Sequence, residues 1–173
     1  MRTVRAILVC GLLAAAAWPE LPRYSAERRL RAATEALRFL LTGQVAVVDP
    51  GAAFGRVADV ALSAATALPG DPRPWVLAGS AHLSAGGGAR ALELYREASA
   101  RGERAEIDLN LGRAYTLLGA EASAKAAYIR GGWVSPALLD SLPPDTARQI
   151  RSAITHLEAE LAAGRLAAPP PGP

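Results

Sequence analysis

One internal register constrains this chain more than any other feature. Aligning the segment from Pro72 with the segment from Ala105, at a shift of 33 residues (79 to 112, 95 to 128), puts Gly79 on Gly112 and Ala81 on Ala114. Gly86 then falls on Gly119, Ala91 on Ala124, Tyr95 on Tyr128 and Ala98 on Gly131, while His82 and Tyr115 place a ring at the same position. Small and ring-bearing positions coincide over a whole unit, so the chain contains a repeat. A repeat of this length is one supersecondary unit, unable to bury its apolar face alone, and it must stack on its neighbour.

Each unit reads as two helices around a glycine turn. The first has Trp75 to Ala85, then Gly86-Gly87-Gly88, then Ala89 to Ala100; the second has Glu106 to Leu118, then Gly119, then Ala120 to Arg130. Glycine at the turn supplies the positive φ that ends one helix before the next begins. Gly79 and Gly112 are small enough for the paired helix to approach closely, and Tyr95 and Tyr128 are expected to fill the space between that pair and the next. The 39 alanines fit this pattern, because alanine is the best helix former and the smallest side chain at a helix contact.

From Pro72 to Pro136 these residues resemble two tetratricopeptide repeats, a family whose period is roughly 34 residues. The family pattern of large, small and aromatic residues on the first helix is met by Trp75, Gly79 and His82, and in the second unit by Gly112 and Tyr115. The second-helix pattern is met by Ala91, Tyr95 and Ala98, then by Ala124, Tyr128 and Gly131, with Pro136 closing the array. Asp108 departs from it, standing where the first unit has Trp75, which weakens the second entry contact. The resemblance implies an all-α fold, a short right-handed α-solenoid of antiparallel helix pairs with a C-terminal capping helix.

Residues 19–71 read as a degenerate third pair. Its first helix is expected over Ser25 to Thr42, its second over Ala52 to Leu68, and Ala61, Ala64 and Pro69 keep the end of the pattern. The intervening loop carries Val45, Val47 and Val48, apolar enough to fold back on the core; a strand there has no pairing partner and is not favoured. Downstream, residues 137–164 read as a connector and a cap, with Asp145 opening the last helix and Ile150, Ile154, Leu157 and Leu161 at helical spacing. Residues 165–173, rich in proline, are expected to be disordered.

Residues 1–18 precede all of this. Arg2 and Arg5 form a basic start and Ala6 to Trp18 an uncharged apolar run. Thirteen residues span roughly 20 Å as a helix, less than the roughly 30 Å of a bilayer core. A cleaved secretory signal ending at Ala17 fits best; an uncleaved anchor and a cytosolic chain are the other readings. Val9 before Cys10 departs from the lipoprotein pattern. Cleavage would take the formal charge from +3 to +1, by loss of two arginines, and remove the single cysteine. The basic balance is then an address label and does not point to nucleic acid.

Catalytic chemistry finds little to work with. His82 sits where the repeat wants a ring and reads as a packed residue; His156 reads as a surface or cap-interface residue. One cysteine cannot form an internal disulfide, and two distant histidines cannot make the two-histidine helix motif of metalloproteases. Gly86-Gly87-Gly88 follows a helix and lacks the trailing Lys-Ser/Thr of a phosphate loop. Asp140, Glu158 and Glu160 have nothing to fix them at catalytic separation. Trp75 and Trp133 read as packing residues. Arg23, Arg28, Arg29, Arg31 and Arg38 make the first helix locally basic, either a solvated face or a contact for anionic lipid headgroups. No cofactor and no metal site are expected.

The tetratricopeptide resemblance directs attention to a groove lined by the first helices, able to hold an extended or helical peptide. Carried over residue by residue, its lining is Arg73, Val76, Ser80, Leu83 and Ser84 from one unit. The next unit gives Glu106, Leu109, Asn110, Arg113, Thr116 and Leu117. The set that grips a terminal carboxylate in some family members is absent apart from Asn110. The same groove could be filled in cis by a terminal helix. The expectation is a non-enzymatic protein–protein interaction scaffold of the bacterial cell envelope, periplasmic or otherwise extracytoplasmic, exported or held at the membrane through residues 1–18. An accessory or regulatory subunit of an envelope enzyme or polysaccharide-handling complex is the alternative. The partner's identity and the oligomeric state are not legible.

Overall fold

The computed structural model describes Trp18, residues 20–44 and residues 46–166. Residues 1–17, where an export or anchor segment is expected, Pro19, Val45 and the tail from Ala167 lie outside the described residues. The order is α1 (Glu20–Leu41), α2 (Pro50–Ala65), α3 (Arg73–Ser84), α4 (Gly88–Ser99), α5 (Ala105–Leu117), α6 (Glu121–Val134), a 3-10 helix (Pro136–Ser141) and α7 (Pro144–Ala162). All-helical architecture is thus confirmed, with no strand among the described residues.

Helix ends show why the sequence breaks where it does. Gly86 and Gly119 both take positive φ, at 83° and 72°. The residue after each donates its N–H back into the helix, Gly87 to the His82 carbonyl at 2.8 Å and Ala120 to the Tyr115 carbonyl at 3.0 Å. This is the Schellman ending, in which a left-handed residue turns the chain so that an orphan carbonyl is satisfied. Gly43 and Gly164 close α1 and α7 in the same way. At the other end of a helix, Asp49 Oδ1 accepts from the Ala52 N–H at 2.9 Å and Pro50 occupies the first turn of α2.

Several expected boundaries move. α1 starts at Glu20, five residues before Ser25, because Pro22 is tolerated in a first turn and the exposed Leu21 and Tyr24 leave no burial signal there. α6 runs through Gly131 and Gly132 to Val134. These glycines serve contact: a Cβ on Gly131 would lie 2.9 Å from the Ala105 carbonyl oxygen, and one on Gly132 2.8 Å from Leu139. In the valine loop Val47 is half-buried and Val48 does not fold inward. Val48 is fully exposed, since Asp49 and Pro50 start α2 immediately and leave the loop no length to turn back. Asp145 does not cap α7; Pro143 holds that position, and Asp145 falls one residue inside the helix, paired with Arg148. Arg165 and Leu166, assigned to the tail, hydrogen-bond back to the Glu160 carbonyl at 2.9 and 3.2 Å.

Packing is consecutive, each helix against the next, from α1 to α7. In addition α1 touches α3 and α3 touches α5, whereas α2 and α4, or α4 and α6, share no comparable contact. The first helices therefore lie closer together than the second helices do. Inside each pair a tyrosine lies flat on a glycine. A Cβ on Gly79 would sit 2.8 Å from Cε1 of Tyr95, and one on Gly112 would overlap the ring of Tyr128. The tyrosines thus fill the slot within their own pair, where the expected place was the space before the next; the slot exists because glycine leaves it. Two cores result, one from α1, α2 and α3 with Leu94, the other from α4 to α7, and Trp75 packs against both.

Candidate functional site

Because α1, α3 and α5 run side by side, a cleft of about 390 Å³ opens between them. From α3 and α5, Arg73, Val76, Leu77, Ser80 and Glu106 line it. From α1 come Glu27, Leu30, Arg31, Thr34 and Glu35. Leu30 and Val76 give it an apolar floor, with charged side chains of both signs around the rim.

One ionic junction spans this cleft. Arg73 Nη2 meets Glu27 Oε1 at 2.5 Å across the α1–α3 gap, and Arg73 Nε donates to Asp71 Oδ2 at 2.8 Å. Partial burial pushes the Asp71 carboxyl up, but hydrogen bonds and charge from Arg73 together outweigh it and hold its pKa below the ordinary value. The Asp71 and Glu27 hydrogen bonds in turn raise the pKa of the Arg73 guanidinium. Deeper in, Ser80 Oγ donates to the Val76 carbonyl at 2.9 Å and shares a 3.1 Å hydrogen bond with the Tyr95 hydroxyl. Burial pushes that phenol up to about 12, the Ser80 hydrogen bond opposing the rise.

Of the eleven groove positions read from the sequence, the cleft brings together Arg73, Val76, Ser80 and Glu106. The others lie elsewhere. Leu109 is 3% exposed and belongs to the core, and Leu83 packs on that core half-buried, so Leu109 offers a partner no surface. Arg113 donates to Asn110 Oδ1 and to Ser141 Oγ, both at 2.8 Å, which ties α5 to the 3-10 helix. At Arg113, then, the chain's own 3-10 helix meets the expected groove. Thr116 shares a 3.0 Å hydrogen bond with the Tyr128 hydroxyl, and Leu117 sits against Gly88 at the turn end. Ser84, also placed in the lining, is exposed and donates to the Ser80 carbonyl.

The α1 side of the cleft was not read as groove. The rule that first helices line it covers α1 as well, and the long loop after Gly43 hid that the pair is built like the others. Among the packing residues, Ala91, Ala98, Tyr95, Tyr115, Ala124 and Tyr128 are buried. His82 is half-buried and His156 exposed, while Pro136 is exposed and opens the 3-10 helix. Trp75 is half-buried beneath the Arg101 guanidinium, 4.4 Å from its ring centre.

Asp108 has a sharper character than its sequence suggested. It is 4% exposed, and its Oδ2 has no hydrogen-bond partner. Burial raises its carboxyl to about 6, the negative charge of Glu103 adding to the rise and Arg130 opposing it. Among the described residues no group of three His, Cys, Asp or Glu side chains is arranged to hold a metal, and no helix is long and apolar enough to cross a membrane. In comparison with known proteins, no family model, no curated protein and no solved structure matches this chain.

Proposed function

We propose that this chain is a short right-handed solenoid of tetratricopeptide type, a non-enzymatic scaffold of the bacterial cell envelope that receives a peptide or helix of a partner protein between α1, α3 and α5. The observation that carries it is the cleft itself, open along one side, apolar at Leu30 and Val76, and rimmed by charge of both signs. Such a lining suits an amphipathic segment, whose apolar anchors enter the floor while its polar side meets the rim. The repeated glycine–tyrosine contact, the repeated Schellman endings and the closer spacing of first helices support the solenoid form. The envelope location rests on the basic and apolar character of residues 1–18.

Crosslinking in the native envelope tests the groove. Val76→Asp and Arg31→Glu should lose the protein that wild type captures, at unchanged helical content, while Val60→Asp on the α2 surface should retain it. If the two groove variants capture the same protein as wild type, the groove is not the binding site.

A further inference from the structure

Most of the unpaired positive charge of the described residues lies on the first helix pair, and of the arginines that carry it only Arg31 also lines the groove. Arg28, Arg29, Arg31 and Arg38 of α1 and Arg56 of α2 are all exposed, and none has an ion-pair partner among the described residues. The carboxylates of α1 are partly spent: Glu20 pairs with Arg23 and Glu27 with Arg73. On these two helices Glu35 and Asp59 alone remain without an ion pair to oppose five arginines.

Apolar and aromatic side chains share part of this surface: Leu21 and Tyr24 lie beside Arg28 and Arg29, Tyr24 also beside Arg31 and Glu35, and Arg38, half a turn round the helix from Arg29, lies on the other flank. α1 turns Ala26, Leu30, Ala33 and Leu37 to the core, so Leu21, Tyr24, Arg28 and Ala32, at helical spacing, share the opposite side. Tyr24 is 65% exposed, Leu21 54%, and Trp18 just ahead of the helix 74%. Toward the other end, Arg38 lies 5.1 Å from the centre of the Phe39 ring. Phe39 then enters a cleft of about 450 Å³ between α1 and α2, lined otherwise by small or aliphatic residues and by one charged side chain, Arg56.

An exposed stripe of this composition on a helix of roughly 33 Å has a physical match in a membrane surface. Guanidinium groups bind phosphate through parallel N–H donors, and tyrosine and tryptophan settle where one end is apolar and the other wet. Each arginine held near an anionic surface contributes about a fivefold gain in binding. In the sequence, the apolar run from Ala6 leads directly into this stripe at Trp18. We propose that the outer face of α1, with Arg56 of α2, docks on an anionic lipid surface, its arginines on the phosphates and Leu21 and Tyr24 at the headgroup–acyl boundary.

The experiment is vesicle partitioning of the full chain, with neutral phosphatidylcholine vesicles set against vesicles containing phosphatidylglycerol. A variant carrying Arg28→Glu, Arg29→Glu and Arg38→Glu leaves the groove-lining Arg31 in place, and Arg2 and Arg5 are present throughout, so their effect cancels. A control variant carries Arg90→Glu, Arg148→Glu and Arg151→Glu, the same charge change far from α1. Wild type and control should bind the anionic vesicles roughly a hundredfold more tightly than the α1 variant, with the gap closing in high salt. All three should bind neutral vesicles equally, which measures the apolar contribution of the N-terminal run together with Trp18, Leu21 and Tyr24. Circular dichroism checks that helical content is unchanged; all six sites are exposed. Equal binding of wild type and the α1 variant to anionic vesicles overturns the proposal, and so does an equal loss in the control. Binding of wild type to poly-glutamate without preference for anionic vesicles would also overturn it, assigning the face to an acidic protein.

Discussion

Gly112 and Tyr128 form an interlocked pair in which the tyrosine ring occupies the volume that a Cβ would need. Gly79 and Tyr95 repeat the contact one unit earlier. Gly112→Ala should therefore destabilise the fold by about 1–3 kcal/mol through overpacking, against the usual gain of up to about 1 kcal/mol for alanine in a helix. Urea midpoints measure it. A double variant with Tyr128→Leu should recover part of the loss, as expected for residues in contact. Strict additivity of the two changes would contradict the interlock.

The buried carboxyl of Asp108 makes stability depend on pH in an unusual direction. Its pKa in the folded chain, about 6, lies above the ordinary 3.8, so the folded state binds the proton more tightly than the unfolded state. The penalty is full above about pH 6 and is relieved as pH falls toward 4, by at most about 3 kcal/mol. Asp108→Asn should raise the stability at pH 7.5 and flatten the gain that wild type shows between pH 7.5 and 5. A variant retaining the whole wild-type slope would place its origin in another group.

Arg113 holds the 3-10 helix through Ser141. Arg113→Ala should cost on the order of 1 kcal/mol and speed amide exchange over Pro136–Ser141 while α1 to α4 stay protected. Uniform loss of protection along the chain would mean that this contact supports the whole array. The same variant leaves the α1 side of the groove unaltered, which separates local loosening from loss of a partner.

At the turn of the second pair, Gly119 takes a φ of 72°. Gly119→Ala should cost roughly 1–2 kcal/mol from the left-handed backbone alone, since the position has open space for a methyl group. Gly119→Asn should cost less, because asparagine tolerates this region better. Equal thermal midpoints for the two variants would argue against backbone strain as the cause.

Which features were legible follows from how each is encoded. The repeat register, the glycine turns and the helix pairing are local patterns, and Gly79, Tyr95, Gly112 and Tyr128 announced them without any knowledge of the third dimension. Boundaries set by contacts elsewhere were hidden. Gly131 and Gly132 look like a stop in the sequence, yet they continue α6 because Ala105 and Leu139 press against them. Pro143 and Pro144 moved the start of α7 ahead of Asp145. The groove was half legible: Val76 and Ser80 were found by position in the repeat. Leu109 and Arg113 were turned to the core and the 3-10 helix by a connector whose path no periodicity encodes.

Trp75, resting on both cores, has a consequence for how the molecule comes apart. The indole packs against both cores, and around it the α3–α4 pair is shared: Leu94 of α4 enters the first core, while Tyr95 of α4, in the second, lies on Gly79 of α3. Loosening of one core is therefore felt by the other through the whole α3–α4 seam, with the indole at its centre. A partner that gripped α1 and α5 at once would clamp that seam from outside and tighten the coupling between the two cores.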